Sequence, residues 1–136
     1  MGVHSVKLIV ADYDGASDTQ EFFVTVKEVN QPPSFTSTPV TQAEPGETYT
    51  YAITTNDPNL PNGDELTISY VSPLPAWLTL TDHGDGTATL AGTPDRSDGG
   101  EHAIQLKVTD LEGEMAEQNF TIEVTQFINF IPLFIR

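Results

Sequence analysis

Apolar and polar residues alternate along most of this chain. Val6-Leu8-Val10, Phe22-Val24-Val26, Tyr49-Tyr51-Ile53, Leu66-Ile68-Tyr70, Ile104-Leu106-Val108 and Phe120-Ile122-Val124 each set every second side chain on one face. A period of two is the mark of a strand with one face buried. Turn-forming clusters separate the runs: Asn56-Asp57-Pro58-Asn59, Pro61-Asn62-Gly63-Asp64, residues 82–86 and residues 93–100. Gly, Asn, Asp and Pro favour such turns for distinct backbone reasons. No window carries an apolar stripe at helical spacing. Short strands spaced in this way predict an all-β sandwich of two sheets with about seven strands.

The alternation is also duplicated. Residues 4–28 read HSVKLIVADYDGASDTQEFFVTVKE and residues 102–126 read HAIQLKVTDLEGEMAEQNFTIEVTQ, aligned without a gap at an offset of 98 (102 − 4). His4/His102, Leu8/Leu106, Val10/Val108, Asp12/Asp110, Gly15/Gly113, Gln20/Gln118, Phe22/Phe120 and Val26/Val124 are identical. With one inserted residue, Asn30, Pro33 and Phe35 pair with Asn129, Pro132 and Phe134. Repetition at a domain-sized period marks a tandem array. The expected organisation is therefore residues 1–29 as the C-terminal hairpin of a preceding repeat and residues 30–126 as one complete domain. Residues 127–136 are expected to be the start of a next repeat or a disordered tail. Gln31-Pro32-Pro33 is the linker, since consecutive prolines stiffen an extended path and leave a sheet.

An isolated hairpin is marginal in water. The segment 4–28 is thus expected either to be mobile or to find a surrogate partner. The candidates are the apolar tail Phe127-Phe130-Ile131-Leu133-Phe134, the complete domain, or another copy of the chain by strand exchange.

Charge narrows the classes of partner. Twenty Asp and Glu against five Lys and Arg leave a net charge of −15, which disfavours nucleic acid and anionic membranes and favours solubility, divalent cations, or both. There is no cysteine, hence no disulfide and no Cys-type zinc site. A sandwich without disulfides fits an extracellular protein of bacterial origin. Neither a signal peptide nor a membrane span is evident: the strand at Val6 follows Met1-Gly2 directly, and FINFIPLFIR is short and broken by Pro132.

The second half of the chain carries a set of ordered motifs. They are Leu74-Pro75-Ala76-Trp77-Leu78, Gly86-Thr87, Gly92-Thr93-Pro94, Gly100-Glu101-His102-Ala103-Ile104, and Thr109-Asp110 with Gly113. In this order they resemble the dystroglycan-type cadherin-like domain and the bacterial putative Ig domain. The linker Glu28-Val29-Asn30-Gln31-Pro32-Pro33-Ser34-Phe35 is similar to that of cadherins, with Glu28 and Gln31 in place of two aspartates. The resemblance covers residues 32–126. It implies an Ig-like or cadherin-like Greek-key β-sandwich, non-enzymatic, stacked end to end in secreted or cell-surface proteins and in accessory regions of polysaccharide-degrading enzymes. It also implies Ca²⁺ at the junctions between domains.

Ca²⁺ takes six to eight oxygens from carboxylates, amide carbonyls and backbone. At the end of the sandwich where the linker enters, Asn30, Asp57, Asn59, Asp64 and Asp110 form the expected upper site. Asp57-Pro58-Asn59 matches the Asp-x-Asp of cadherins with Asn in its third place, and Asp110 matches the Asp at the end of the sixth strand. At the opposite end, Asp95 and Asp98 of Thr93-Pro94-Asp95-Arg96-Ser97-Asp98 resemble the Asp-Arg-Glu of cadherins, with Glu44 as a third ligand. A plainer explanation competes with both, because Asp and Asn populate turns for local hydrogen-bonding reasons.

Other chemistry finds little footing. Trp77 is expected to fill the core rather than to offer a sugar-stacking face. Tyr49, Tyr51 and Tyr70 read as half-buried sheet residues, and His4, His83 and His102 are scattered rather than convergent. No nucleophile motif is present, and the close carboxylate pairs Asp82/Asp85 and Asp95/Asp98 lie in short turns without an apolar pocket. The sequence thus predicts a non-enzymatic extracellular structural and adhesion module, one repeat of a tandem array, binding calcium at its junctions. The alternative is a carbohydrate-attachment module accessory to a polysaccharide-active protein. Its expected partners are neighbouring repeats, then homophilic or polysaccharide contacts.

Overall fold

The computed structural model describes residues 2–60 and 64–126. Expectations for residues 127–136 lie outside the described residues. The chain divides between Asn30 and Gln31 into two compact units.

The first unit is a hairpin of β1 (Gly2–Ala11) and β2 (Ser17–Val26), antiparallel in a register running from Gly2↔Val26 to Ala11↔Ser17. Its turn is closed by Asp12, whose Oδ1 accepts the Ala16 N–H at 2.8 Å and whose own N–H donates to the Ala16 carbonyl at 2.8 Å. Gly15 supplies the positive φ of 91° that this turn requires. Lys7 and Glu21 sit opposite one another and pair at 3.0 Å on the exposed face.

The second unit holds the remaining strands. They are β3 (Ser34–Phe35), β4 (Gln42–Ala43), β5 (Tyr49–Asn56), β6 (Thr67–Tyr70), β7 (Leu78–Asp82), β8 (Thr87–Gly92), β9 (Gly100–Thr109) and β10 (Met115–Val124). One sheet has the order β3-β5-β8-β7 and the other β4-β10-β9-β6. The first strand is split between the sheets. β3 pairs antiparallel with β5, then the chain crosses over and β4 pairs in parallel with β10. Counted as one split strand, β3 and β4 bring the sandwich to the expected seven. The pairings β5 with β8 and β6 with β9 skip neighbours in sequence, as a Greek key does.

The β9–β10 hairpin reproduces the first unit position by position. Its register runs from Gly100↔Val124 to Thr109↔Met115, each pair displaced by 98 from its β1–β2 counterpart (100 − 2, 124 − 26). Asp110 closes its turn as Asp12 does: Oδ1 accepts the Glu114 N–H at 2.9 Å and the Asp110 N–H donates to the Glu114 carbonyl at 3.0 Å. Gly113, with φ 96°, stands where Gly15 stands. The sequence repeat is a structural repeat.

The core lies between the two sheets and follows the alternation. Tyr49, Tyr51 and Ile53 of β5, Ala88 and Leu90 of β8 and Leu78 of β7 face Ile68 of β6, Ile104, Leu106 and Val108 of β9, and Ile122 and Val124 of β10. Tyr49 and Tyr51 are fully buried rather than half-buried. Each hydroxyl finds a partner, which makes that depth tolerable. Tyr49 Oη donates to the Val40 carbonyl at 2.7 Å, and Tyr51 Oη donates to Gln118 Oε1 at 2.8 Å. Burial raises the Tyr49 pKa well above its ordinary value, with a smaller contribution from Tyr51. Tyr70 differs from expectation in the other direction and is exposed, because it is the last residue of the edge strand β6.

Tyr51 ties the sheets together. Its ring meets Phe120 edge to face at a centroid distance of 5.7 Å, and Gln118, which accepts from its hydroxyl, donates onward to the Ser37 carbonyl at 3.0 Å. Tyr51→Phe keeps the ring and strands Gln118 Oε1. The expected loss is about 1–2 kcal/mol of unfolding free energy, measured by urea denaturation. A loss below about 0.3 kcal/mol would show that the link contributes nothing net.

Trp77 packs against the core and is half-buried, edge to face with Tyr49 at 5.9 Å and with His102 at 5.7 Å. It closes one margin of the sandwich instead of filling its middle. His102 in turn bonds the Asp98 carbonyl through Nε2 at 2.6 Å. Among the described residues no helix is long and apolar enough to cross a membrane.

Candidate metal centre

Three carboxylates converge at one end of the sandwich. Asp57 follows β5, Asp64 precedes β6 and Asp110 follows β9. One oxygen of each lies within 4.8 Å of the others, and among the described residues they form the one such group of acidic or metal-binding side chains. Asp57 and Asp110 are buried and Asp64 is half-buried.

Backbone amides fix each of the three. Asp57 Oδ1 accepts the Asn59 N–H at 2.7 Å across Pro58, whose ring presets the turn. Asp64 Oδ1 accepts from Glu65 N–H at 3.0 Å and from Leu111 N–H at 3.1 Å, which joins its loop to the β9–β10 turn. Asp110 Oδ1 accepts from Glu112 and Glu114, both at 2.9 Å. The turn geometry that makes Asp common in loops therefore operates at all three positions. It does not account for the second oxygen of Asp57. That atom, Oδ2, is buried and has no hydrogen-bond partner among the described residues. The Asp57 residue is only 2% exposed. A buried carboxylate oxygen without a partner is costly beside two further carboxylates.

Asn59 is buried beside the cluster, and its Oδ1 accepts the Gln31 N–H at 2.8 Å. It anchors the start of the linker to the same loop. Asn30 is the last residue of the first unit and stands directly before Gln31 in the chain.

The residues expected at the opposite end are engaged elsewhere. Asp95 caps a short 3-10 turn over Arg96–Asp98, its Oδ1 accepting the Ser97 N–H at 2.7 Å, while Asp98 Oδ2 accepts the Asp95 N–H at 2.8 Å. Glu44 Oε1 accepts the Thr125 hydroxyl at 2.7 Å. Glu44, Asp95 and Asp98 do not form a convergent group among the described residues. The Asp-x-x-Asp spacing could have been read as a reciprocal cap from the sequence.

Asp82 and Asp85 also serve turns. Asp82 accepts from Ile68 N–H at 3.0 Å and from Gly84 N–H at 3.1 Å. Asp85 Oδ1 accepts the Thr87 hydroxyl at 2.5 Å. That hydroxyl holds the Asp85 carboxyl below its ordinary pKa range, and the Ser97 hydroxyl does the same for Asp95. A general acid needs the opposite shift.

Known proteins repeat this architecture. The sequence pattern described as "Putative Ig domain" matches residues 32–125. An endo-fucoidan hydrolase of glycoside hydrolase family 107 aligns over 97% of this chain at 25% identity and TM-score 0.57, with this chain spanning 20% of that one. A protocadherin gammaB7 EC3-6 structure aligns over 93% of this chain at 14% identity and TM-score 0.65, across 32% of its own length. The SrpA adhesin of Streptococcus sanguinis aligns over 75% at 15% identity and TM-score 0.59, across 61% of its length. The last two likenesses establish shared fold. No curated protein matches the sequence. The match over residues 32–125, with the split first strand and the β5–β8 and β6–β9 pairings, makes this chain a member of the putative Ig domain family with a cadherin-like sandwich.

Proposed function

We propose that the chain is a non-enzymatic extracellular module, one bead of a tandem array, that holds Ca²⁺ where the linker meets the sandwich. Asp57, Asp64 and Asp110 would supply carboxylate oxygens, the hard donors Ca²⁺ prefers; Asn59 lies in the loop of Asp57, and Asn30 directly precedes Gln31 in the chain. The carrying observation is the buried Oδ2 of Asp57, which has no hydrogen-bond partner among the described residues. A bound cation would offset the mutual repulsion of three fixed carboxylates and stiffen the loop that anchors Gln31. The ion's work is therefore mechanical rather than chemical. The turn-bound carboxylates Asp82, Asp85, Asp95 and Asp98 offer no acid–base pair, which supports the non-enzymatic reading.

Thermal unfolding in calcium and in chelator tests the metal. A ligand that binds only the folded state at a hundred times its dissociation constant adds about 2.7 kcal/mol. For a domain of this size that raises Tm by roughly 10–20 °C. The proposed site predicts such a rise in 10 mM CaCl₂. Asp57→Asn keeps an acceptor for the Asn59 N–H and removes one of three crowded charges. It is expected to melt at or above the parent's temperature in chelator and to lose the calcium response. A Tm that calcium leaves unmoved in the parent protein ends the metal reading.

A second reading is carbohydrate attachment, favoured by the alignment of nearly the whole chain with a segment of a fucoidan hydrolase. Affinity electrophoresis in fucoidan gels decides it, since an attachment module would be retarded and a pure spacer would not.

A further inference from the structure

We propose that the β1–β2 hairpin is the docking face for a second β-sheet built like residues 31–99, carried by a segment of the same polypeptide upstream of Gly2. The ground is the comparison of two hairpins with one register. Leu106, Val108 and Val124 are fully enclosed, whereas their counterparts Leu8, Val10 and Val26 are 52%, 68% and 47% exposed. Phe22 and Val24 are exposed too, where Phe120 packs against the core and Ile122 is buried. The side chains that form half of a sandwich core in one copy are thus presented to solvent in the other.

The second copy shows what covers such a face. β9 and β10 lie against β5 and β8, and their outer edges are taken by β6 and β4. Among the described residues, β1 and β2 form a two-stranded sheet with neither edge strand. The occupant must therefore bring two edge strands as well as an apolar face, and residues 31–99 are the stretch that does so for β9 and β10. A second copy of the chain fits less well. Its β3-β5-β8-β7 sheet is already covered by its own hairpin, and two hairpins face to face would leave every edge unpaired. Two chains of net charge −15 also repel. The proposal extends the tandem-array reading and is independent of calcium.

The test supplies the proposed occupant. A second copy of residues 31–99 is placed directly before Gly2 of the full chain, so that Gly99 precedes Gly2 as it precedes Gly100. Amide hydrogen exchange is then followed in calcium and in chelator. In the extended chain, exchange at residues 4–10 and 20–26 is expected to slow by about a thousandfold in a monomer. Leu8→Asp in the extended chain should abolish that slowing and leave residues 102–126 protected, which separates lost docking from general misfolding. Unchanged hairpin exchange on extension, with residues 102–126 protected, overturns the proposal. So does a 136-residue chain that is dimeric at micromolar concentration and dissociates on Leu8→Asp, since the occupant is then a second copy. Loss of calcium stabilisation with docking intact would count against the metal alone.

Discussion

Gly92→Ala is expected to destabilise the sandwich by about 3 kcal/mol or more, lowering Tm by roughly 12–24 °C. Gly92 ends β8 and is paired on both sides, with Tyr49 of β5 and Leu78 of β7. A Cβ there would lie 1.8 Å from the Trp77 carbonyl oxygen and 2.8 Å from its carbon. Neither atom is the free end of a side chain. Trp77 is held between the turn that Leu78 N–H closes onto the Pro75 carbonyl at 3.0 Å and the start of β7. Relief requires β7 to part from β8, which draws the indole from Tyr49 and His102. This contact joins two of the sequence motifs physically: Leu74-Pro75-Ala76-Trp77-Leu78 and Gly92-Thr93-Pro94 are the two sides of one close approach. Gly84→Ala is the control. It sits in a turn with φ 76° and open space around its Cβ, so only the backbone strain of about 1 kcal/mol should appear. Circular-dichroism melts of both variants suffice, and equal losses would refute the role given to the Trp77 backbone.

Leu106→Ala and Leu8→Ala make the second large contrast, because the repeat supplies its own internal comparison. The two leucines share a sequence position, a strand register and a neighbouring Gln partner, Gln118 and Gln20. Only Leu106 is enclosed. Truncating it removes contacts and leaves a cavity, at about 2–5 kcal/mol. Truncating Leu8 should change the unfolding of the sandwich by less than about 0.5 kcal/mol. Trp77, the single tryptophan, lies in the second unit, so its fluorescence in urea reports that unit in both variants. Equal destabilisation would mean that the hairpin and the sandwich unfold as one body.

Much of this fold is written locally in the sequence. The offset of 98 carries through to every residue pair of both hairpins, because strand register is fixed by turn length and by the alternation of apolar side chains. The long strands β5, β9 and β10 are legible for the same reason. β3 and β4 are not. Two residues are too few to alternate, and their positions are set by the edges they complete. The depth of Tyr49 and Tyr51 was hidden as well, since it depends on hydrogen bonds to the Val40 and Ser37 carbonyls and to Gln118, which the alternation of apolar and polar residues does not encode. Among the acidic residues, sequence pattern singles out Asp57, Asp64 and Asp110 but treats Asp95 and Asp98 alike. What separates them is the use of each oxygen. Asp95 and Asp98 cap one another, while one oxygen of Asp57 has no hydrogen-bond partner among the described residues.

The parallel pairing of β4 with β10 bears on how the molecule carries tension. Glu123 N–H donates to the Thr41 carbonyl at 2.8 Å and Thr125 N–H to the Ala43 carbonyl at 3.0 Å. In a string of such domains the pull arrives through the strand that begins the sandwich and leaves through the one that ends it. Because these two strands run the same way, opposed pulls slide them along each other. Both hydrogen bonds are then strained in shear at the same moment rather than peeled apart in turn. A domain latched in this way yields abruptly and at higher load, which suits a tether better than a spring.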